Sequence, residues 1–299
     1  MLNAEGITGI RTGLNVLFQK GMSGFEAARM NQPGIPDWKL VAEIVKSMTD
    51  TEEYAWVRDV PTIREWIGPR EVQMISASKY VLSNRNYEGT MGVDRNAFDD
   101  NKLYQYAKQA ELLGRAAAEY VFKQIWGLLP GGLTLKGPDG VSFFNANHPL
   151  KVGVQSNLNS GGSTEYWYLL DRSKPILPFI HQVRKDPEFV AKVGKDEDNV
   201  FMDNQYLFGV DFRAAFGYTL WQLAYASNMT LDVTNFEAAF NAMADFKGWD
   251  GRKLGIRATD LVVPTKLRGK AMALIKERLA GGEDNPWYKG INVVECSYL

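Results

Sequence analysis

Apolar residues recur at three- and four-residue steps most clearly between 98 and 129. Leu103, Tyr106, Ala110, Leu113, Ala117, Val121 and Leu128 fall on one face of a helix. Asp99 and Asp100 stand at its start, where the macrodipole favours acids. Pro130-Gly131-Gly132 stops it. At 1.5 Å per residue such a helix is ~45 Å long, which suits a spine. A second stripe, Leu40, Val41, Ile44, Val45 and Met48, predicts an amphipathic helix over Trp38–Met48, with Asp37 at the N-cap. It follows the breaker cluster Asn31–Pro36. Two shorter helices are predicted at Asn235–Phe246 and at Lys266–Leu279, the latter closed by Gly281-Gly282.

Alternation predicts strands elsewhere. Residues 71–95 read as a hairpin turning at Asn84–Asn86, with mixed faces, so that it gains most by lying on another subunit. Tyr166–Leu170, Ile176–Val183, Tyr206–Tyr218, Asp260–Pro264 and Ile291–Val294 are strand-like. Lys185–Asn199 reads as a charged loop, 133–163 as irregular, and Asn157–Ser163 as a flexible polar linker. Residues 1–60, with little core of their own, read as an arm.

Composition narrows the function. Length alone, 299 residues, allows one large domain or two lobes. The 34 basic residues are offset by 35 acidic ones and mixed with them, which argues against a dedicated nucleic-acid binder. Eight Trp enrich the chain in residues that fill cores and interfaces. A single cysteine, Cys296, forms no internal disulfide and points to a reducing cytoplasm. Neither a signal-peptide core nor a membrane-length apolar run is apparent.

The search for chemistry finds little. His148 and His181 are the two histidines, and neither has metal-ligand spacing. Both are expected to tolerate replacement by Ala. Asp99-Asp100 is better explained as helix capping than as an acid pair, and Cys296 as a structural thiol. There is no phosphate-cradling loop and no nucleophile elbow. No catalytic, cofactor-binding or metal-binding residue is assigned.

The order of short motifs resembles the Mu-like major head subunit family. It begins with Trp56–Pro61, Arg64–Gly68 and Arg70, then Tyr87-Glu88 and Asp99-Asp100 before the long helix. It continues through Asp139-Gly140, Phe143-Phe144, His148-Pro149, Trp167–Asp171, Lys174-Pro175, Pro178, Gln182 and Arg184. Gly209–Arg213, Gly217-Tyr218, Trp221-Gln222, Ala224 and Leu261–Pro264 complete it, over roughly residues 40–299. The resemblance implies an α+β chain with the Hong Kong 97-like phage capsid fold. Its parts would be an N-terminal arm (1–60), an extended loop (61–97), a peripheral domain with the spine helix (98–230) and an axial domain (231–299). In one respect the order differs from that of capsid relatives, where the Trp167–Asp171 segment would close the chain. A permutation would leave Leu299 within about 15–20 Å of Tyr166 and the Gly161-Gly162 linker exposed and poorly packed.

The family further implies a non-enzymatic virion protein, assembled in the host cytoplasm. Copies would form pentamers and hexamers of an icosahedral shell around double-stranded DNA, with non-specific contact to it and none to a membrane. Expected partners are a transient scaffolding protein, a portal and a decoration protein. Three rivals stand beside this reading. An encapsulin-like shell would hold cargo enzyme instead of DNA. A hydrolase would depend on His148 or His181. A tail or adhesin subunit would form a tube or trimer.

Overall fold

The computed structural model describes residues 4–30, 37–57, 77–96, 103–162, 165–194, 197–276 and 284–299. Two helices dominate the first half, α1 (Ala4–Met30) and α2 (Leu103–Gly131). Strands β1 (Ala42–Lys46), β2 (Thr51–Val57), β3 (Ala77–Ser83) and β4 (Arg85–Asp94) lie between them. The two-residue strands β5 (His148–Pro149), β6 (Val154–Gln155) and β7 (Leu158–Asn159) follow α2. Then come β8 (Trp167–Leu170), β9 (Phe179–Lys192), helix α3 (Asp198–Asp203), β10 (Gln205–Tyr218) and β11 (Ala224–Ser227). The last third holds α4 (Val233–Ala244), β12 (Asp260–Val263), α5 (Arg268–Leu274) and β13 (Asn292–Glu295).

Among the described residues the strands make two main sheets, in the orders β1-β9-β10-β4 and β13-β12-β8-β11-β7, with small pairs β2-β3 and β5-β6. The chain crosses between the main sheets repeatedly, so β8 and β11 join β12 and β13 although β9 and β10 between them belong elsewhere. One continuous core runs under both.

The α2 stripe behaves as expected. Ala110, Ala117, Val121, Ile125 and Leu128 are buried, and Leu113 and Tyr106 pack against the core. Pro130 lies inside the last turn, and the helix ends one residue later. Asp99, Asp100, Asn31–Pro36 and Gly281-Gly282 fall outside the described residues. In α1, Leu14, Phe18 and Phe25 recur at four and seven residues and are buried. The α1 and α2 backbones approach so closely that a Cβ on Gly21 would meet Glu111 O at 2.0 Å, and one on Gly114 would meet Phe18 O at 2.0 Å.

Several expectations are overturned. Trp38–Met48 is not a helix. Asp37 does cap, its carboxylate accepting from Lys39 N at 3.0 Å, but it caps a single 3-10 turn. The chain then extends as β1, which pairs parallel to β9. Met48, on the predicted apolar face, is 83% exposed. Ladder bonds to β9 and the β-branched Ile44 and Val45 outweigh the helical spacing.

The 71–95 hairpin does not form either. β3 pairs with β2 and β4 with β10. The single residue between them, Asn84, carries the chain from one sheet into the other. Lys185–Asn199 is not a loop. β9 continues to Lys192, its charged residues pointing outward while Phe189 is buried between Phe18 and Phe208. Of the predicted helix Lys266–Leu279, described residues show a 3-10 turn and α5, which ends at Leu274.

Nor is Asn157–Ser163 a slack linker. Asn157 is fully buried, β7 pairs with β11, and Gly162 N donates to Asn228 Oδ1 at 2.9 Å. A Cβ on Gly162 would meet Asn228 O at 2.1 Å. The other condition of the permutation is met. Val262 has Tyr168 on one side and Val294 on the other, so these strands lie two spacings apart, ~10 Å. Leu299 N folds back to Cys296 O at 3.4 Å, which places the chain end within the expected reach of Tyr166.

Candidate assembly site

The β2-β3 pair stands outside both main sheets, and its root is fastened to the first of them. Leu82 packs with Ile180 and Ala215, flanked by Val45, Tyr54 and Tyr80. Tyr80 Oη accepts from Tyr218 N at 3.2 Å. Beside this small apolar cluster lies a polar one. Gln182, fully buried on β9, donates to Asn84 Oδ1 at 2.8 Å and accepts from Tyr54 Oη at 2.8 Å. Asn84 donates to Ser47 Oγ and to Thr49 O, each at 2.9 Å, while its own N–H reaches Asp50 O at 2.9 Å. Ser47 passes the chain of bonds to Glu52 Oε1 at 2.9 Å.

Glu52 Oε1 also accepts from Met48 N, Thr49 N and Thr49 Oγ1, between 2.9 and 3.2 Å. The Thr49 hydroxyl, then that of Ser47, holds its carboxyl below the usual range. Burial, then the Glu52 carboxylate, pushes the Tyr54 phenol up to about 12. Arg213 Nη2 binds Asp50 Oδ1 at 2.6 Å across the same junction. The side chains of Tyr54, Gln182, Asn84, Ser47 and Glu52 all have partners, so the network fixes one angle between the β2-β3 pair and the sheet. The arrangement is mechanically specific.

Sequence reasoning missed this network. Gln182 and Arg184 stood among the family-like motifs, but Asn84 lies 37 residues from Ser47 and 98 from Gln182, and nothing local couples the three. Exposed apolar side chains lie elsewhere. Phe201 and Met202 on α3 are 81% and 76% exposed, and Val152 and Val154 are also exposed.

The two histidines are not brought together. His148 stacks on Trp221, with centroids 4.1 Å apart. His181 lies on β9 between Phe216, stacked at 5.1 Å, and the edge of Trp38 at 5.0 Å. Burial lowers the His181 pKa to about 4. Cys296 is buried. Among the described residues no group of three or more His, Cys, Asp or Glu is placed to hold a metal ion. Among them, too, no helix is long and apolar enough to cross a membrane.

The family description "Mu-like prophage major head subunit gpT" matches residues 7–299. The major capsid protein of Escherichia phage Mu is 37% identical over 262 residues, 83% of this chain and 86% of that protein. The Mu-like prophage FluMu major head subunit of Haemophilus influenzae is 34% identical over 250 residues, 80% of this chain and 81% of that one. Among solved structures, a chain of the procapsid of bacteriophage JBD30 is 32% identical and superposes with a TM-score of 0.83 over 100% of both chains. A chain of the JBD30 capsid gives 0.77 at 27% identity, over 92% and 93%. These matches follow the chain in sequence order, so the placement of Trp167–Asp171 before Leu261–Pro264 is shared with these relatives.

Proposed function

The chain belongs to the Mu-like prophage major head subunit family, and we propose that its copies close into an icosahedral shell around packaged double-stranded DNA. It is a major capsid protein of Mu-like phage type with the Hong Kong 97-like fold. The observation that carries the shell reading is its full-length likeness to a procapsid subunit. We assign the sheet β1-β9-β10-β4 with α2 to the peripheral lobe and the sheet β13-β12-β8-β11-β7 to the axial lobe. The expected ranges 98–230 and 231–299 are then divided by sheet and not by position along the chain. The arm is α1 with the segment through β1. The β2-β3 pair belongs to the extended loop, which reaches a neighbouring subunit from the fastened root.

On this reading the subunits form rings of five and six, and interfaces above about 2,000 Å² carry the stability of the shell. No catalytic site is assigned, because the buried polar groups at the root are spent on one another. Assembly in the host cytoplasm, a transient scaffolding protein and a portal belong to the same proposal. So does a decoration partner, since a JBD30 capsid is described as decorated with minor capsid protein trimers. Negative-stain electron microscopy of the purified chain tests the reading. Closed shells are expected, and tubes or isolated trimers would overturn it. Nucleic acid inside particles from infected or induced cells separates a DNA-filled head from an encapsulin-like compartment.

A further inference from the structure

Two family-like motifs, Asp139-Gly140 and His148-Pro149, are not used by the assembly site. They meet in one buried cluster. His148 is fully buried, with Nδ1 2.5 Å from Asp139 Oδ2 and Nε2 2.9 Å from Asn157 Oδ1. The Asn157 amide has one workable orientation. Its Nδ2 faces the carbonyls of Phe143, Trp221 and Ala224 at 2.9, 3.2 and 3.2 Å, so this atom must be the donor. Its Oδ1 also accepts Asn145 N–H at 2.9 Å. The atom opposite Nε2 is therefore an acceptor, and the atom opposite Nδ1 belongs to a carboxyl group. An imidazole held between two acceptors needs a proton on each nitrogen.

We propose that His148 is an imidazolium, paired with the Asp139 carboxylate, and that this buried charge is the catch holding residues 137–157 against the Trp221–Ala224 turn. Asp139 is the charged group that contacts the ring. Asn157 and Trp221, packed on it from other segments, are neutral. The side chain of Asp139 is 17% exposed, so water reaches one side of the pair and moderates the desolvation cost. Removing the proton from Nε2 would set its lone pair against Asn157 Oδ1, and two acceptors at 2.9 Å repel. The earlier expectation that His148→Ala is tolerated is revised accordingly, because the variant would leave Asp139 and Asn157 facing a void.

The chain has two histidines, so ¹⁵N-histidine labelling of the full protein, free or assembled, yields two rings. The His181→Phe variant identifies the remaining signal. At pH 7 both nitrogens of His148 should carry directly bonded protons, and in Asp139→Asn one of them should be lost. A wild-type His148 ring with a single protonated nitrogen would overturn the proposal, including the case in which the shared proton sits on Asp139. This measurement needs no variant of the cluster to fold. Hydrogen exchange of the Asn145 and Asn157 amides should be several-fold faster in Asp139→Asn than in the wild type at the same pH. Unchanged protection would show that the charge is no catch.

Discussion

At the scale of single residues, the decisive positions are polar side chains that the core encloses and satisfies. Gln182→Ala removes the group that joins Tyr54 to Asn84 and leaves a buried amide oxygen unpartnered, so it should cost about 1–3 kcal/mol. Urea unfolding of the unassembled subunit would measure it. Combined with Asn84→Ala, the two losses should fall short of their sum, because both variants break the same bonds. Additive losses would show that the network is not a unit. His181 makes a separate prediction. It is buried neutral, and its Nδ1 has no partner. Its folded pKa of about 4 lies below the usual 6.5, so the unfolded chain binds the proton more readily. This stability is complete above pH 6.5, falls as the pH drops below it, and is fully lost near pH 4, by roughly 3 kcal/mol. His181→Phe, which keeps the ring between Trp38 and Phe216, should flatten that part of the acid dependence. An unchanged slope in denaturation midpoints between pH 7 and 4.5 would place the proton elsewhere.

At the scale of elements, α1 and α2 are joined by close backbone contact. Gly114→Leu, beside Phe18 O, should push α1 off α2 while leaving α2 on its sheet. The expected sign is cleavage within residues 4–30 under limited proteolysis at protease levels that spare the wild type. Equal resistance would mean that the helices slide to accommodate the side chain. The helix α2 was legible because its apolar stripe is long and its stop signal strong. β10, β8, β12 and α4 were legible for the same kind of reason, since each buries a face that its own sequence declares. The β1 segment was not. Its apolar residues fit a helical period, and only the neighbouring β9 strand shows which backbone state is bonded. β9 itself was read too short because charged residues on the outer face concealed the alternation that buries Phe189.

At the scale of the whole molecule, a body with one continuous core carries a two-stranded sheet, β2-β3, that is fastened at its root and belongs to neither main sheet. Replacing 58–76 by a short Gly-Ser turn should leave a folded subunit, since the root network and both sheets are intact. Shell yield should fall by at least tenfold in negative-stain images, while circular dichroism stays close to that of wild type. Normal shells from that variant would remove the extended loop from assembly. The segment order proved to be shared with its relatives, and the close packing of Gly162 on Asn228 shows that the supposed new linker is an integral part of the second sheet.

From sequence alone came the family, the α+β class, the spine and the absence of any familiar catalytic spacing. These rest on local periodicity and on the order of short motifs along one chain. Tertiary structure alone decided that β3 pairs with β2 and β4 with β10, that β8 and β11 leave their neighbours for the second sheet, and that Ser47, Asn84 and Gln182 meet. The reason is that backbone hydrogen-bonding groups are the same at every residue, so a strand's sequence shows which face is buried but not which strand lies beside it. A buried polar network is likewise invisible until the chain brings together side chains more than 100 residues apart, as it does for Tyr54 and Gln182.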